Sequence, residues 1–158
     1  MIKVLGLTGI TLLILMSGCI KKVDYAELER LKIDDYLQNC GDTIYEAKES
    51  GLLFHEILAG TGEYADDNDT VYFKYKARWM DNYIFDYNYP INTPFGAILG
   101  TGALIDGLDE ALRYIRVGGK AKIITPSSIA FGIYGYQFVP PYTPLLWDLQ
   151  VDRISKAE

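Results

Sequence analysis

The chain has 158 residues, a formal charge of −6 and a sequence pI near 4.8. An acidic balance of this size argues against nucleic acid or an anionic surface as a purely electrostatic partner. The length suits one domain with a single sizeable core.

The first segment reads Met1-Ile2-Lys3, then an uncharged and mostly apolar run from Val4 to Met16, then Ser17-Gly18-Cys19. That run is shorter than the roughly 20 residues a helix needs to cross a bilayer. A positive start, a short apolar stretch and small residues before a cut site are the marks of a secretory signal. Leu15-Met16-Ser17-Gly18-Cys19 resembles a bacterial lipobox, with Met16 where leucine is usual. The expectation is a signal over 1–18, removed before a lipid-modified Cys19, leaving 158 − 18 = 140 residues. Only Lys3 is charged in the signal, so the mature charge becomes −6 − 1 = −7. No later apolar run is long enough to span a membrane, so the expected tether is lipid, on a membrane face outside the cytoplasm. Cys40 then has no disulfide partner and reads as a helix-end residue.

Residues 19–50 are expected to form the tether, a short helix and a linker. Asp24 suits the N-cap of a helix through YAELERLKIDDYLQNC, and Gly41 suits its end. Tyr25, Leu28, Leu31 and the pair Tyr36/Leu37 give it a ragged apolar side. That side either lies on the domain or holds it away from the membrane. A linker runs from Gly41 to Ser50.

Residues 51–158 form the main domain. LLFHEIL (Leu52 to Leu58) is a strand ending at Gly60-Thr61-Gly62. Val71, Phe73, Tyr75, Ala77 and Trp79 then alternate with Tyr72, Lys74, Lys76 and Arg78, a period-two strand with one face in the core. Asp81-Asn82 turns the chain, Tyr83-Ile84-Phe85 returns, and Pro94 to Leu99 is a further strand. One helix follows, with Asp106 as N-cap, Asp109 and Glu110 at its positive end and Arg113 and Arg116 at its negative end. Leu108, Leu112 and Ile115 form its buried stripe, and Gly118-Gly119 stops it. Lys120 to Thr125 is a strand, Pro126 to Thr143 a long loop, and Leu145 to Ile154 the last strand, with Leu145, Trp147, Leu149 and Val151 on one face. The fold class is α+β, an antiparallel sheet wrapped on one short helix.

Common catalytic constellations are missing. Gly100-Thr101-Gly102 lacks the spacing and lysine of a phosphate loop. His55 stands alone on a strand. The run Asp66-Asp67-Asn68-Asp69 lacks the glycine and distal glutamate of a calcium loop and reads as a solvated turn. An enzyme built from these residues works without metal, cofactor or covalent nucleophile.

Aromatic residues, 13 of them tyrosine, gather instead where sheet, helix start and long loop converge. The ordered segments VYFKYKARW, IFD, PFGAILGTGALIDGLDEAL, VGGKAK, TPSSIAFG and VPPYTPLLWDLQV resemble an FKBP-type peptidyl-prolyl isomerase from about Gly51 to Ile154. The helix, linker and GLLFHEIL arrangement also looks like lipoproteins of this family. The resemblance implies a pocket walled by Tyr75, Phe85 and Asp86, faced by Phe95 and edged by Leu104 and Ile105. Leu108 would floor it, where many members have tryptophan. Phe131, where the family has a loop tyrosine, and Tyr142 would close it from the loop, and Trp147 from below. Tyr75, Phe85 and Asp86 carry the implied catalysis, and the Ile105 amide would bond a ligand carbonyl. Singly these aromatics could be ordinary core, and Asp86 could merely cap a turn before Tyr87-Asn88. The implied clients are proline-containing polypeptides, with weak binding of tacrolimus or rapamycin. An FKBP fold used as a chaperone or partner-binding surface with little catalysis is the alternative. Tyr83, Tyr87, Tyr89, Tyr134 and Tyr136 look exposed and favour peptide or glycan contact in either case.

Overall fold

The computed structural model describes residues 23–41, 44–88 and 93–158. The signal, Lys21-Lys22 and Cys19 lie outside these residues, as does Tyr89. Two α-helices and seven strands make up the described fold: α1 Tyr25–Asn39, β1 Glu46–Ala47, β2 Leu53–Leu58, β3 Thr70–Arg78, β4 Ile84–Tyr87, β5 Phe95–Ile98, α2 Asp106–Arg113, β6 Lys120–Thr125 and β7 Leu145–Ser155. Every pairing is antiparallel, in the order β1-β2-β6-β7-β3-β4. β5 also pairs with β3, at the end away from β4.

The alternation in β3 produces the face expected of it. Val71, Phe73 and Ala77 are buried, and α2 packs its Leu108, Ala111 and Leu112 against the same core as Ile123, Leu145, Trp147, Leu149 and Val151. Burying a side chain of this size contributes about 1.5–3 kcal/mol. Gly107 lets α2 approach the sheet: a Cβ there would lie 2.6 Å from Thr125 Cγ2 and 3.1 Å from the Ile129 carbonyl oxygen.

Several expectations need correction. Asp106 is the first helical residue and Ile105, in extended conformation, is the N-cap without a side-chain bond. The carboxylate that serves this region is Asp109, which accepts from the Gly100 N–H at 2.8 Å and pairs with Arg113. The helix stops at Arg113, well before the Gly118-Gly119 turn, and Ile115 is buried beyond its end. Arg116 lies over the Tyr64 ring, 4.6 Å from its centre, away from the helix end it was expected to serve. The linker from Gly41 to Ser50 contains β1, which extends the sheet through Glu46 and Ala47 opposite Phe54 and Leu53. The long loop holds a 3₁₀ turn over Ser127–Ile129.

Asp69 is not a solvated turn residue. Its side chain is buried, accepting from Asp66 N, Ala157 N and Lys156 Nζ. The acidic run thereby fastens the C-terminal tail. His55 places Nδ1 2.8 Å from the Ile44 carbonyl oxygen.

The first helix is capped as its sequence suggests, with the Asp24 side chain accepting from Ala26 N and Glu27 N. Its attachment is different. Tyr25, Leu28 and Leu31 stay exposed, and the buried residue is Glu29. That carboxylate accepts from Ser127 N and, at 2.6 Å, from Ser127 Oγ. A polar clasp, rather than an apolar stripe, holds α1 to the start of the long loop.

Candidate active site

The site is built on the middle of β3. On one side β3 pairs with β7 along its length. On the other it pairs with β5 through Phe73 and with β4 from Lys76 onward, leaving Tyr75 at the gap between them. Asn88 fills that gap. Its Oδ1 accepts from Tyr75 N at 2.6 Å, its Nδ2 donates to the Phe73 carbonyl at 3.2 Å, and its own N–H donates to the Tyr75 carbonyl at 3.1 Å. One asparagine thus replaces the missing strand and fixes the tyrosine backbone.

Around Tyr75 the rings meet at an angle, edge to face with Phe95 and tilted by 58° to Trp147. Its centroid lies 6.5 Å from Phe95, nearly perpendicular, and 6.1 Å from Trp147. Such arrangements match the quadrupoles of the rings. The indole of Trp147 is fixed from behind by donating to Thr125 Oγ1 at 2.9 Å. Phe85 stacks on Trp79, with centroids 5.8 Å apart. Leu104, Ile105, Phe85 and Phe131 are half-buried against the core cluster that contains Leu108 and Trp147. Ile105 gives its carbonyl to the first turn of α2, accepting from Leu108 N and Asp109 N. Its own N–H has no partner among the described residues.

Asp86 faces Ala77 across the β3–β4 ladder, on the same side as Tyr75. The Tyr75 hydroxyl donates to its Oδ2 at 3.0 Å. Burial, then the bond and charge of Asp86, push the Tyr75 hydroxyl up to about 12. Asp86 itself is exposed, because β4 is the sheet's edge strand. The Asp86 side chain takes the Tyr75 hydroxyl, and the side-chain bonds to backbone here are those of Asn88 across to β3.

Tyr142 goes elsewhere. Its ring lies flat on Tyr25 of α1, centroids 4.6 Å apart and 10° from parallel. Phe131 stacks on Tyr136 at 5.4 Å. Sequence reasoning missed Asn88, Thr125 and the Glu29–Ser127 clasp. A polar residue just after a short apolar strand was the only available signal for Asn88.

A family model for the FKBP-type peptidyl-prolyl cis-trans isomerase matches residues 62–152, more than half of the chain. The chain belongs to the FKBP family. This FKBP domain is 33% identical over 112 residues to the FKBP-type peptidyl-prolyl cis-trans isomerase FkpA of Escherichia coli K12, a match over 71% of this chain and 41% of that protein. It thus spans about two fifths of that relative's length. The crystal structure of FkpA from Escherichia coli superposes with a TM-score of 0.75 at 29% identity, covering 85% of this chain and 62% of that one. A peptidyl-prolyl cis-trans isomerase from Pseudomonas syringae pv. tomato shares the fold, with a TM-score of 0.71 at 24% identity over 85% of this chain and 98% of that one. An antiparallel sheet closed over α2 is the arrangement the sequence led us to expect.

Proposed function

We propose that this FKBP domain catalyses cis–trans isomerisation of X–Pro bonds and assists the folding of exported proteins. The observation that carries the proposal is the aromatic box of Tyr75, Phe95 and Trp147, with Asp86 on the Tyr75 hydroxyl at its rim. Phe85, Leu104, Ile105, Leu108 and Phe131 complete the apolar surround.

The chemistry asks for little beyond this. Turning a peptide bond costs roughly 18–20 kcal/mol because resonance holds it planar. The two X–Pro end states differ by only about 0.5–1 kcal/mol, so catalysis consists in lowering the barrier. A twisted amide has lost resonance and carries less charge on its oxygen. An apolar box therefore accepts it better than the planar, strongly hydrated ground state, which is selective binding of the transition state. The Ile105 N–H, without a partner among the described residues, would hold a substrate carbonyl. Asp86 and the Tyr75 hydroxyl supply a fixed dipole at the rim. A general acid–base step is not required.

We also propose that Cys19 carries the lipid that holds the domain on a membrane outside the cytoplasm. The segment Leu15 to Cys19 supports this. No helix among the described residues is long and apolar enough to cross a membrane. Labelled palmitate entering wild type and failing to enter Cys19→Ser would support the anchor; label retained in the variant would overturn it.

The isomerase reading is tested by X–Pro exchange in a short peptide, with the mature chain and its Asp86→Ala variant. Faster exchange with wild type, reduced in the variant, is the expected result. A folded wild type that accelerates nothing would leave a binding module on the same fold.

A further inference from the structure

Beyond Phe131, the long loop carries an exposed tip that the aromatic box of Tyr75, Phe95 and Trp147 does not include. Residues 123–147 contain no Asp, Glu, Lys, Arg or His, in a chain where 23% of residues are charged. Within this stretch the tip turns outward: Ile133 is 53% exposed, Tyr134 87%, Tyr136 58% and Phe138 77%. The tip has a defined shape, closed by paired bonds between Tyr136 and Val139 and by Gly135 N donating to the Phe131 carbonyl.

The position of this tip relative to the start of α1 is fixed. Tyr142 N donates to the Gly132 carbonyl at the base of the tip, and the Tyr142 ring is stacked on Tyr25. Val23, Asp24 and Tyr25 line one shallow groove with Tyr142. Ala26 and Glu29 line the next with Ile133. The start of α1 and the uncharged tip therefore share one side of the molecule.

Covalent geometry ties that side to the anchor. Only four peptide links separate Cys19 from Val23. At about 3.6 Å each they reach at most roughly 14 Å, well under the diameter of a domain whose radius of gyration is itself about 14 Å. A lipid on Cys19 thus brings the Val23–Tyr142 side close to the bilayer. Tyrosine and other aromatics favour the membrane interface, and an uncharged surface approaches it with no ion to desolvate.

We infer that the tip Ile133–Phe138 is a second membrane contact, seated in the interfacial region of the bilayer that holds Cys19. The inference rests on the lipid-anchor reading above. Tethering raises the local concentration of membrane, so the contact needs little affinity of its own. It would set the domain's orientation. Because Phe131 is stacked on Tyr136, the box of Tyr75, Phe95 and Trp147 would then work beside the lipid surface.

The test uses the full lipidated chain in phospholipid vesicles with brominated acyl chains, carrying Tyr134→Trp or, as a second probe, Phe138→Trp. Relative to the parent with Trp79 and Trp147 alone, the added indole emission should shift to the blue and lose most of its intensity. Emission that stays unshifted and unquenched while the protein floats with the vesicles would overturn the contact and leave the anchor. If neither flotation nor quenching occurs, both readings fall. Quenching in a Cys19→Ser protein that still floats would keep the contact and remove the anchor. Shielding by a reduced, unfolded polypeptide but not by vesicles would overturn the contact in favour of a client surface.

Discussion

Tyr75 and Asp86 stand diagonally across the β3–β4 ladder, and the tyrosine hydroxyl donates to the carboxylate at 3.0 Å. The pair ties a half-buried ring to an exposed edge strand. Diagonal neighbours on one sheet face are within reach of long and aromatic side chains.

Removing the carboxylate tests this bond directly. In Asp86→Ala the Tyr75 hydroxyl should titrate lower than its present value of about 12, since the bond and the charge that raise it are gone. It should remain above 10, because burial is the largest cause and persists. An ultraviolet tyrosinate titration of the variant against wild type reads the shift.

The close approach of α2 gives a stability prediction. Gly107→Ala places a methyl against Thr125 Cγ2 and the Ile129 carbonyl. Overpacking of this kind costs about 1–3 kcal/mol. Thr125 also holds the Trp147 indole, so Gly107→Ala should slow X–Pro exchange as well as lower Tm in thermal unfolding.

Glu29→Ala removes both acceptors from Ser127 and leaves a buried N–H and hydroxyl without partners. Such a loss costs about 1–3 kcal/mol. Hydrogen exchange should show α1 and the Ser127–Ile129 turn losing protection, with the β3–β7 ladder unchanged. Uniform loss across the sheet would contradict the clasp.

Asp69 sets an acid limit. Backbone N–H donors, first that of Asp66, then the Lys156 ammonium, hold its carboxyl down at about 2, against an ordinary value of 3.8. A carboxyl lowered in the folded state contributes stability that is present above its unfolded value and disappears as pH falls through its folded one. The contribution should therefore fade between about pH 4 and pH 2. Asp69→Asn should lower Tm at pH 6 and show a smaller further loss on acidification; parallel Tm curves for the two proteins would refute the assignment.

The sheet was legible because period-two patterning in 71–79 and 145–151 reports a face that must be buried. Tyr75 and Trp147 lie on those faces, but they were named as pocket residues, with Phe85, through the resemblance to the FKBP family. What escaped was polar and distant in sequence. Glu29 and Ser127 are 98 residues apart, and no periodicity couples them. Asp106 was misplaced as a cap because two aspartates compete there, and only the fold shows Asp109 reaching Gly100. Tyr142 belongs in sequence to the loop beside the site, yet its ring is stacked on Tyr25 of α1.

The asparagine bridge has a consequence for how such a domain can diversify. Asn88 completes the hydrogen bonding of Tyr75 before the chain goes on to Phe95. Residues inserted after 88 should leave these bonds to β3 in place. That makes the position a natural splice point, where the chain should accept added length while β3 keeps its register with β7.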